Sequence, residues 1–291
     1  MSRVKIAVIP AAGFGTRMLP ATKAIPKELL PVVDRPVIDY VASEAIEAGI
    51  EHIVFVVSRG KEPIETYFDH QPELEAQLIA AGKTAYLEQV LRPMMNQGRS
   101  SFVRQGKALG LGHAIWSARH VVGDEPFAVL LPDVICTGTP GATKRLVDLH
   151  AETGGCAITV NPVPDTEVHK YGIIRPDGAG PDARGRVAVA GLVEKPARGT
   201  QPSNLAITGR YVLTPDVFDH LEKAETGAGG EIQLTDSMVK LIGHGPFHAV
   251  VTEDPVYDCG DQLGWLEANL GMARRQPAIW DGLAERGWVT R

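Results

Sequence analysis

Positions 4–9 read VKIAVI and are closed by Pro10, after which comes the loop AAGFGTRMLP at 11–20. A nearly continuous β-branched run of this length predicts a strand buried on both faces, and a strand of that kind needs helices above and below its sheet. One helix is predicted over about 36–48. There Ile38, Val41, Ala42, Ala45 and Ile46 recur at helical spacing behind Pro36, and Gly49 stands where the helix should end. The run IVFVV at 53–57 then completes a strand–helix–strand unit, whose crossover is right-handed in nearly all proteins.

The same theme returns in FAVLL (127–131), CAITV (156–160) and LAITGRYVL (205–213), each a buried or half-buried strand by pattern. The reading is an α/β fold, Rossmann-like, with a mixed, mostly parallel sheet flanked by helices. RPDGAGPDARGR (175–186) and AETGAGG (224–230) are expected as exposed loop tips rather than domain linkers, because strand-like or helix-like sequence resumes after each. In QLGWLEANLGMARR (262–275), Leu263, Leu266 and Leu270 predict a further helix. Its leucines either pack on the core or, with Trp280 and Trp288, meet a second copy of the chain. We therefore divide the chain into a main domain at 4–270 and a C-terminal extension at 271–291 with a candidate oligomer contact.

Composition narrows the function. Of 291 residues, 44% are hydrophobic and 22% charged, and 29 basic against 35 acidic side chains leave a net charge of −6. That excludes the broad basic field of a nucleic-acid binder. No segment reaches the roughly 18 uninterrupted apolar residues of a membrane span. Cys136, Cys156 and Cys259 lack metal-site or disulfide spacing, and the first residues lack the pattern of a signal peptide, so a cytoplasmic protein is expected.

The loop after the first strand sits where open α/β sheets bind ligands. Small residues at Ala11, Ala12, Gly13 and Gly15 let backbone N–H groups approach a base or a phosphate. It is not the dinucleotide fingerprint, because Met18 stands at the third glycine position and Pro20 opposes a helix running on. Nor is there a Walker loop, since Gln77 precedes the GKT at 82–84 where its first glycine should be. Arg17, Lys23 and Lys27 lie on this proline-stiffened segment, and cations held beside a Gly-rich turn suit a polyphosphate.

The stretch AAGFGTRMLPATKAIPKELLPVVDRPVIDY (11–40) resembles the signature of the bacterial UTP–glucose-1-phosphate uridylyltransferases, within the sugar nucleotidyltransferase family. Further matches follow in family order: QGKALGLGHA (105–114), LPDV (131–134), KYGII (170–174), VEKP (193–196), SNLAITGRYVL (203–213), GEIQLTDSM (230–238) and DCG (258–260). The resemblance implies the nucleotidyltransferase fold. It also implies transfer of a uridylyl group from UTP to glucose 1-phosphate, with Mg2+ as cofactor and a homodimer or homotetramer as assembly.

Carried over residue by residue, the resemblance makes Arg17 and Lys27 the groups that grip the triphosphate, and Lys195 the contact to the sugar phosphate. Asp133 becomes a magnesium ligand, with Asp258 as the candidate second carboxylate. Gln105 and Gly110 match base-reading positions, with Ala11, Ala12, Gly13 and Gly15 closing the nucleotide pocket from the other side. Uracil pairs an N–H donor with carbonyl acceptors, which both ends of a Gln amide can meet. Glu194 is implied to accept from sugar hydroxyls, and Gly172, Asn204 and Thr208 to surround the sugar. His113, His120 and His169 are read as structural or surface histidines. Two alternatives stay open, a thymidylyltransferase-type enzyme and a non-catalytic regulatory relative. The second is opposed by the retention of Thr16, Arg17, Lys27, Asp133, Glu194 and Lys195.

Overall fold

The apolar run at the start of the chain forms β1 (Ile6–Pro10), and the alternation of its side chains explains why the run is unbroken. Val8 faces one hydrophobic core, with Val54, Val56 and Val129, while Ala7 and Ile9 face a second, with Ile53, Phe55 and Ala128. Both faces are covered, so neither tolerates a polar residue. In this computed structural model residues 3–94, 99–178, 180–227 and 230–290 are described. Beyond β1 the strands are β2 (Pro31–Val32), β3 (Arg35–Pro36), β4 (His52–Val57), β5 (Ser100–Arg104), β6 (Phe127–Leu130) and β7 (Val134–Cys136). There follow β8 (Cys156–Pro162), β9 (Gly172–Pro176), β10 (Arg186–Glu194), β11 (Leu205–Leu213), β12 (Phe247–Val251) and β13 (Val256–Asp258).

Nine of these make one sheet in the order β5-β4-β1-β6-β11-β8-β12-β10-β9. From β5 to β6 the pairings are parallel, as the βαβ pattern requires. The remainder is mixed: β12–β8 is parallel, and β11 is antiparallel to both β6 and β8. β10 carries a bulge between Val189 and Gly191, with its first part on β12 and its second on β9. β9 then closes against the start of β11 at Ile173 and Ala206, which brings Gly172 and Glu194 to the edge where β1 and β6 end. β9 and β10 are joined within the 175–186 stretch, of which residue 179 lies outside the described residues, as do 228 and 229 of the 224–230 stretch.

The helix predicted near 36–48 spans Val37–Glu47, and Gly49, at φ 90°, follows it. Pro20 and Pro26 break the segment after the Gly-rich loop into three single 3-10 turns at Thr16–Met18, Ala21–Lys23 and Lys27–Leu29. No helix among the described residues is long and apolar enough to cross a membrane.

The helix Gln262–Arg274 forms as expected and runs across the 270/271 boundary. Its leucines do not pack on the core: Leu263, Leu266 and Leu270 are 67%, 51% and 45% exposed. Gly264, Ala268 and Gly271 form the inner face instead. A side chain at Gly264 would collide with the Asp258 carbonyl, and one at Gly271 with the Tyr257 ring, so β13 admits only the small face of this helix. The leucine face is thereby turned outward.

Candidate active site

Three loops meet at the carboxyl ends of the parallel strands: 11–20 after β1, 105–110 after β5, and 131–133 after β6. This is the edge at which ligands enter open α/β sheets. Gly15 is left-handed at φ 66° and packs on the next turn of the loop, where an added Cβ would stand 3.1 Å from the Cβ of Lys27. Its carbonyl accepts from Met18 N and from the Thr22 hydroxyl at 2.8 Å. The loop thus delivers Lys27 to the mouth of the sheet, where its ammonium lies 2.5 Å from Asp133 Oδ2.

Asp133 and Asp258 come from segments far apart in the chain and are joined by the small β7–β13 ladder, in which Asp258 opposes Val134. The Asp133 carbonyl accepts from Cys259 N, and Asp258 Oδ1 accepts from Gly260 N at 2.8 Å. Three charged groups surround Gly260: a Cβ there would be 2.8 Å from Asp258 Oδ1, 3.1 Å from Arg17 Nη2 and 3.4 Å from Asp133 Oδ2. Burial alone would raise the pKa of Asp133, but the Lys27 ammonium and its hydrogen bond hold it below the usual carboxylate range. For Asp258, burial together with the Asp133 charge outweighs the Gly260 N–H, Arg17 and Lys27 and pushes it up. Burial and the same two carboxylates push the Cys259 thiol up to about 12, leaving it a neutral packing group.

Two converging carboxylates, one raised by its neighbour, form an all-oxygen donor set that a hard divalent cation would relieve. Among the described residues no cluster of three or more His, Cys, Asp or Glu side chains has metal-binding geometry. Magnesium takes one or two carboxylates and completes its shell with phosphate oxygens and water.

Behind Asp133 stands a group that sequence reading did not single out. Arg210 is fully buried and donates to the carbonyls of Leu131 and Val134, at 3.3 and 2.7 Å, on either side of the Asp133 turn. Glu44 holds it, and Glu44 in turn accepts from Thr143 N and Oγ1 at the start of the helix Ala142–Thr153. The signal was a charged residue inside an otherwise apolar strand, LAITGRYVL.

On the other side of β11, Gly172 opposes Glu194 in register. A Cβ at Gly172 would meet Glu194 Oε2 and Ile207 Cδ1 at 3.1 Å, so glycine leaves that carboxylate room. Glu194 Oε2 accepts from the Thr235 hydroxyl at 2.7 Å, a contact that sequence reading also missed although Thr235 lies within the motif GEIQLTDSM. Lys195 is left-handed at φ 46°, an unusual conformation for a non-glycine residue, and its N–H donates to Tyr171 O. Its ammonium is 3.4 Å from Glu194 Oε1, with half the side chain exposed. The buried phenol of Tyr211 is raised by burial and then by the charges of Glu194 and Asp133. Thr208 Oγ1 is engaged with Thr159 at 2.9 Å, and Asn204 is exposed with its carbonyl bonded to Val163 N.

At the far end Gln105 is buried, with its backbone N–H on Val57 O. Its side-chain Nε2 meets Gly110 O at 3.2 Å and His113 Nδ1 at 2.9 Å, so the amide's donor end is used within the protein and only Oε1 is left for a ligand. The expectation that both ends would face the base is corrected here. Gly110, at φ 97°, has no room for a Cβ beside Glu231 and Ile232. Ala11 and Ala12 are buried at the end of β1, whereas Gly13 is open on its Cβ side.

A family model described as nucleotidyl transferase matches residues 6–275. A UTP–glucose-1-phosphate uridylyltransferase from Bacillus subtilis (strain 168) is 48% identical over 284 residues, 97% of this chain and 96% of that protein. The chain belongs to the nucleotidyl transferase family, among its UTP–glucose-1-phosphate uridylyltransferases. Solved members of the family share its architecture. A UTP-bound UGPase from Acinetobacter baumannii superposes with a TM-score of 0.90 at 39% identity, covering 99% of this chain and all of the other. A UDP-glucose pyrophosphorylase complexed with UDP-glucose gives 0.84 at 37% identity, covering 94% and 100%.

Proposed function

We infer that this chain transfers the uridylyl group of UTP to glucose 1-phosphate, giving UDP-glucose and pyrophosphate. The observation that carries the reading is the meeting of Asp133, Asp258, Arg17 and Lys27 at the strand ends, next to Glu194 and Lys195, in a chain of this family. A phosphate oxygen of the sugar attacks the α-phosphorus of UTP, the bond to the β-phosphate oxygen breaks, and pyrophosphate departs. The attacking group belongs to the substrate. No protein nucleophile is needed, and catalysis reduces to alignment and charge neutralisation, for which near-attack positioning can supply about 7–11 kcal/mol.

In this scheme Ala11, Ala12, Gly13, Gly15, Gln105 and Gly110 hold the uridine end. Arg17 and Lys27 hold the triphosphate and the leaving pyrophosphate, the first as a fork and the second as a point charge. Lys195 aligns the sugar phosphate, Glu194 takes hydrogen bonds from the sugar, and Gly172, Asn204 and Thr208 complete its surroundings. Asp133 and Asp258 would hold Mg2+, which when bound would supply positive charge to the phosphate oxygens.

Residues 4–270 are read as the catalytic domain, and the exposed leucine face of 262–274 with 271–291 as the contact of a homodimer or homotetramer working in the cytoplasm. The test offers UTP, dTTP, ATP, CTP and GTP in turn with glucose 1-phosphate and magnesium, and follows pyrophosphate release. UTP should be strongly preferred. Preference for dTTP would instead favour the thymidylyltransferase reading.

A further inference from the structure

His113 was read above as a bland structural histidine, yet its ring nitrogen touches the one side chain assigned to the base. We propose that His113 is a specificity-determining positioning residue: by accepting a hydrogen bond from Gln105 it fixes the amide so that only a carbonyl oxygen faces the base, selecting rings with an N–H at position 3. The proposal rests on the reading of Gln105 as the base reader.

The hydrogen-bond logic has one solution. Gly110 O can only accept, so the Gln105 end 3.2 Å away must be the NH2. That leaves its second N–H for His113 Nδ1 at 2.9 Å, which must therefore be unprotonated, with the imidazole proton on Nε2. Gln105 Oε1 makes no hydrogen bond to the described residues and is free to accept from a ligand. Uracil and thymine carry an N–H at position 3, whereas cytosine carries a lone pair there. An acceptor held in place rewards the former and repels the latter, because the amide cannot rotate without opposing its oxygen to Gly110 O.

The surroundings keep His113 neutral. It lines a cavity of about 270 Å³ with Arg104 at the end of β5, Lys107 on the following loop, Trp116, Ser117 and Arg119, and no acid is among the lining residues. Arg119 stacks on Trp116 at 3.5 Å, and the His113 ring lies 5.7 Å from the same indole. Ser117 Oγ donates to the His113 carbonyl, and the segment packed against Gly110 carries the acid Glu231. Burial and then the Arg119 guanidinium hold the imidazole pKa below its ordinary value. Protonation would turn Nδ1 into a donor and set it against the Gln105 NH2.

The experiment compares wild type, His113→Ala, His113→Asn and Gln105→Ala by KM and kcat for UTP and by inhibition with CTP, across about pH 5.5 to 8.5. His113→Ala should raise the UTP KM about tenfold, as for loss of one held hydrogen bond, leave kcat within about twofold, and narrow the gap between UTP and CTP. His113→Asn, which can present an oxygen where Nδ1 stood, should restore most of both. In wild type the UTP KM should climb only in the acid part of this range, below the ordinary imidazole value, because burial and Arg119 delay protonation of His113, and this extra rise should be missing from His113→Asn measured with the same substrate. If Gln105→Ala relaxes base choice but His113→Ala does not, or if Ala and Asn at 113 behave alike, His113 has no such role. If Gln105→Ala leaves the nucleotide profile unchanged, the base-reading assignment itself falls, and this proposal with it.

Discussion

Arg210 and Glu44, 166 residues apart, form a buried ion pair in which Nη2 meets Oε2 at 2.8 Å and Nε lies 3.0 Å from the same oxygen. The pair ties the strand beneath Asp133 to the helix Val37–Glu47 and to the start of the helix Ala142–Thr153. Its worth is positional as much as energetic, since a buried pair gains little net free energy over apolar packing yet costs much when one partner is removed.

Arg210→Ala should accordingly lower unfolding stability by about 3–5 kcal/mol in urea titration, by leaving Glu44 buried and unpaired. Arg210→Met with Glu44→Leu should lose less than either single change. Burial alone would raise Glu44, but Arg210 and Thr143 outweigh it and hold it below its ordinary value of 4.5. The stability it contributes is therefore present above that pH and is lost as pH falls through the lower folded value. Arg210→Lys keeps a charge but loses the grip on the 131 and 134 carbonyls, and should need more magnesium for half-maximal activity.

Lys195 offers a test in which stability and function move apart. Because its backbone is left-handed, Lys195→Gly should be more stable than Lys195→Ala by about 1 kcal/mol in the same titration. Both should lose turnover by about a hundredfold or more while binding UTP almost normally in calorimetry. Lys27→Ala should lose UTP affinity as well as turnover. Equal loss of UTP affinity in the two lysine variants would contradict the division of roles.

Chelation should abolish turnover, and added magnesium should bring it back, since two carboxylates and the substrate phosphates make a site for a hard cation. Asp133→Asn and Asp258→Asn should each raise the magnesium needed. Full activity in excess chelator would remove the metal from the scheme.

Light scattering should report a dimer or tetramer of the 31.2 kDa chain. Leu266→Glu, on the exposed face of 262–274, should shift the particle toward the single-chain mass if that face is the contact. An unaltered assembly would place the contact elsewhere.

The sequence by itself determined the strands with two buried faces, the helix behind Pro36, the ligand-binding loop after β1 and, through its motifs, the family. These are local signals. A nearly continuous β-branched run bounded by Pro and Gly favours a doubly covered strand, and closely spaced prolines forbid a long helix after the Gly-rich loop. Tertiary structure alone decided what depends on residues far apart meeting. Asp258 reaches Asp133 only through the β7–β13 ladder, and Arg210 on β11 meets Glu44 of the helix Val37–Glu47 across 166 residues of chain. The leucines of 262–274 look like a core stripe in sequence, yet β13 leaves no space for side chains on its face, so glycine and alanine turn inward and the leucines outward. The end of the Gln105 amide that faces the ligand was likewise fixed by partners five and eight residues away, whose directions depend on how the 105–113 loop folds.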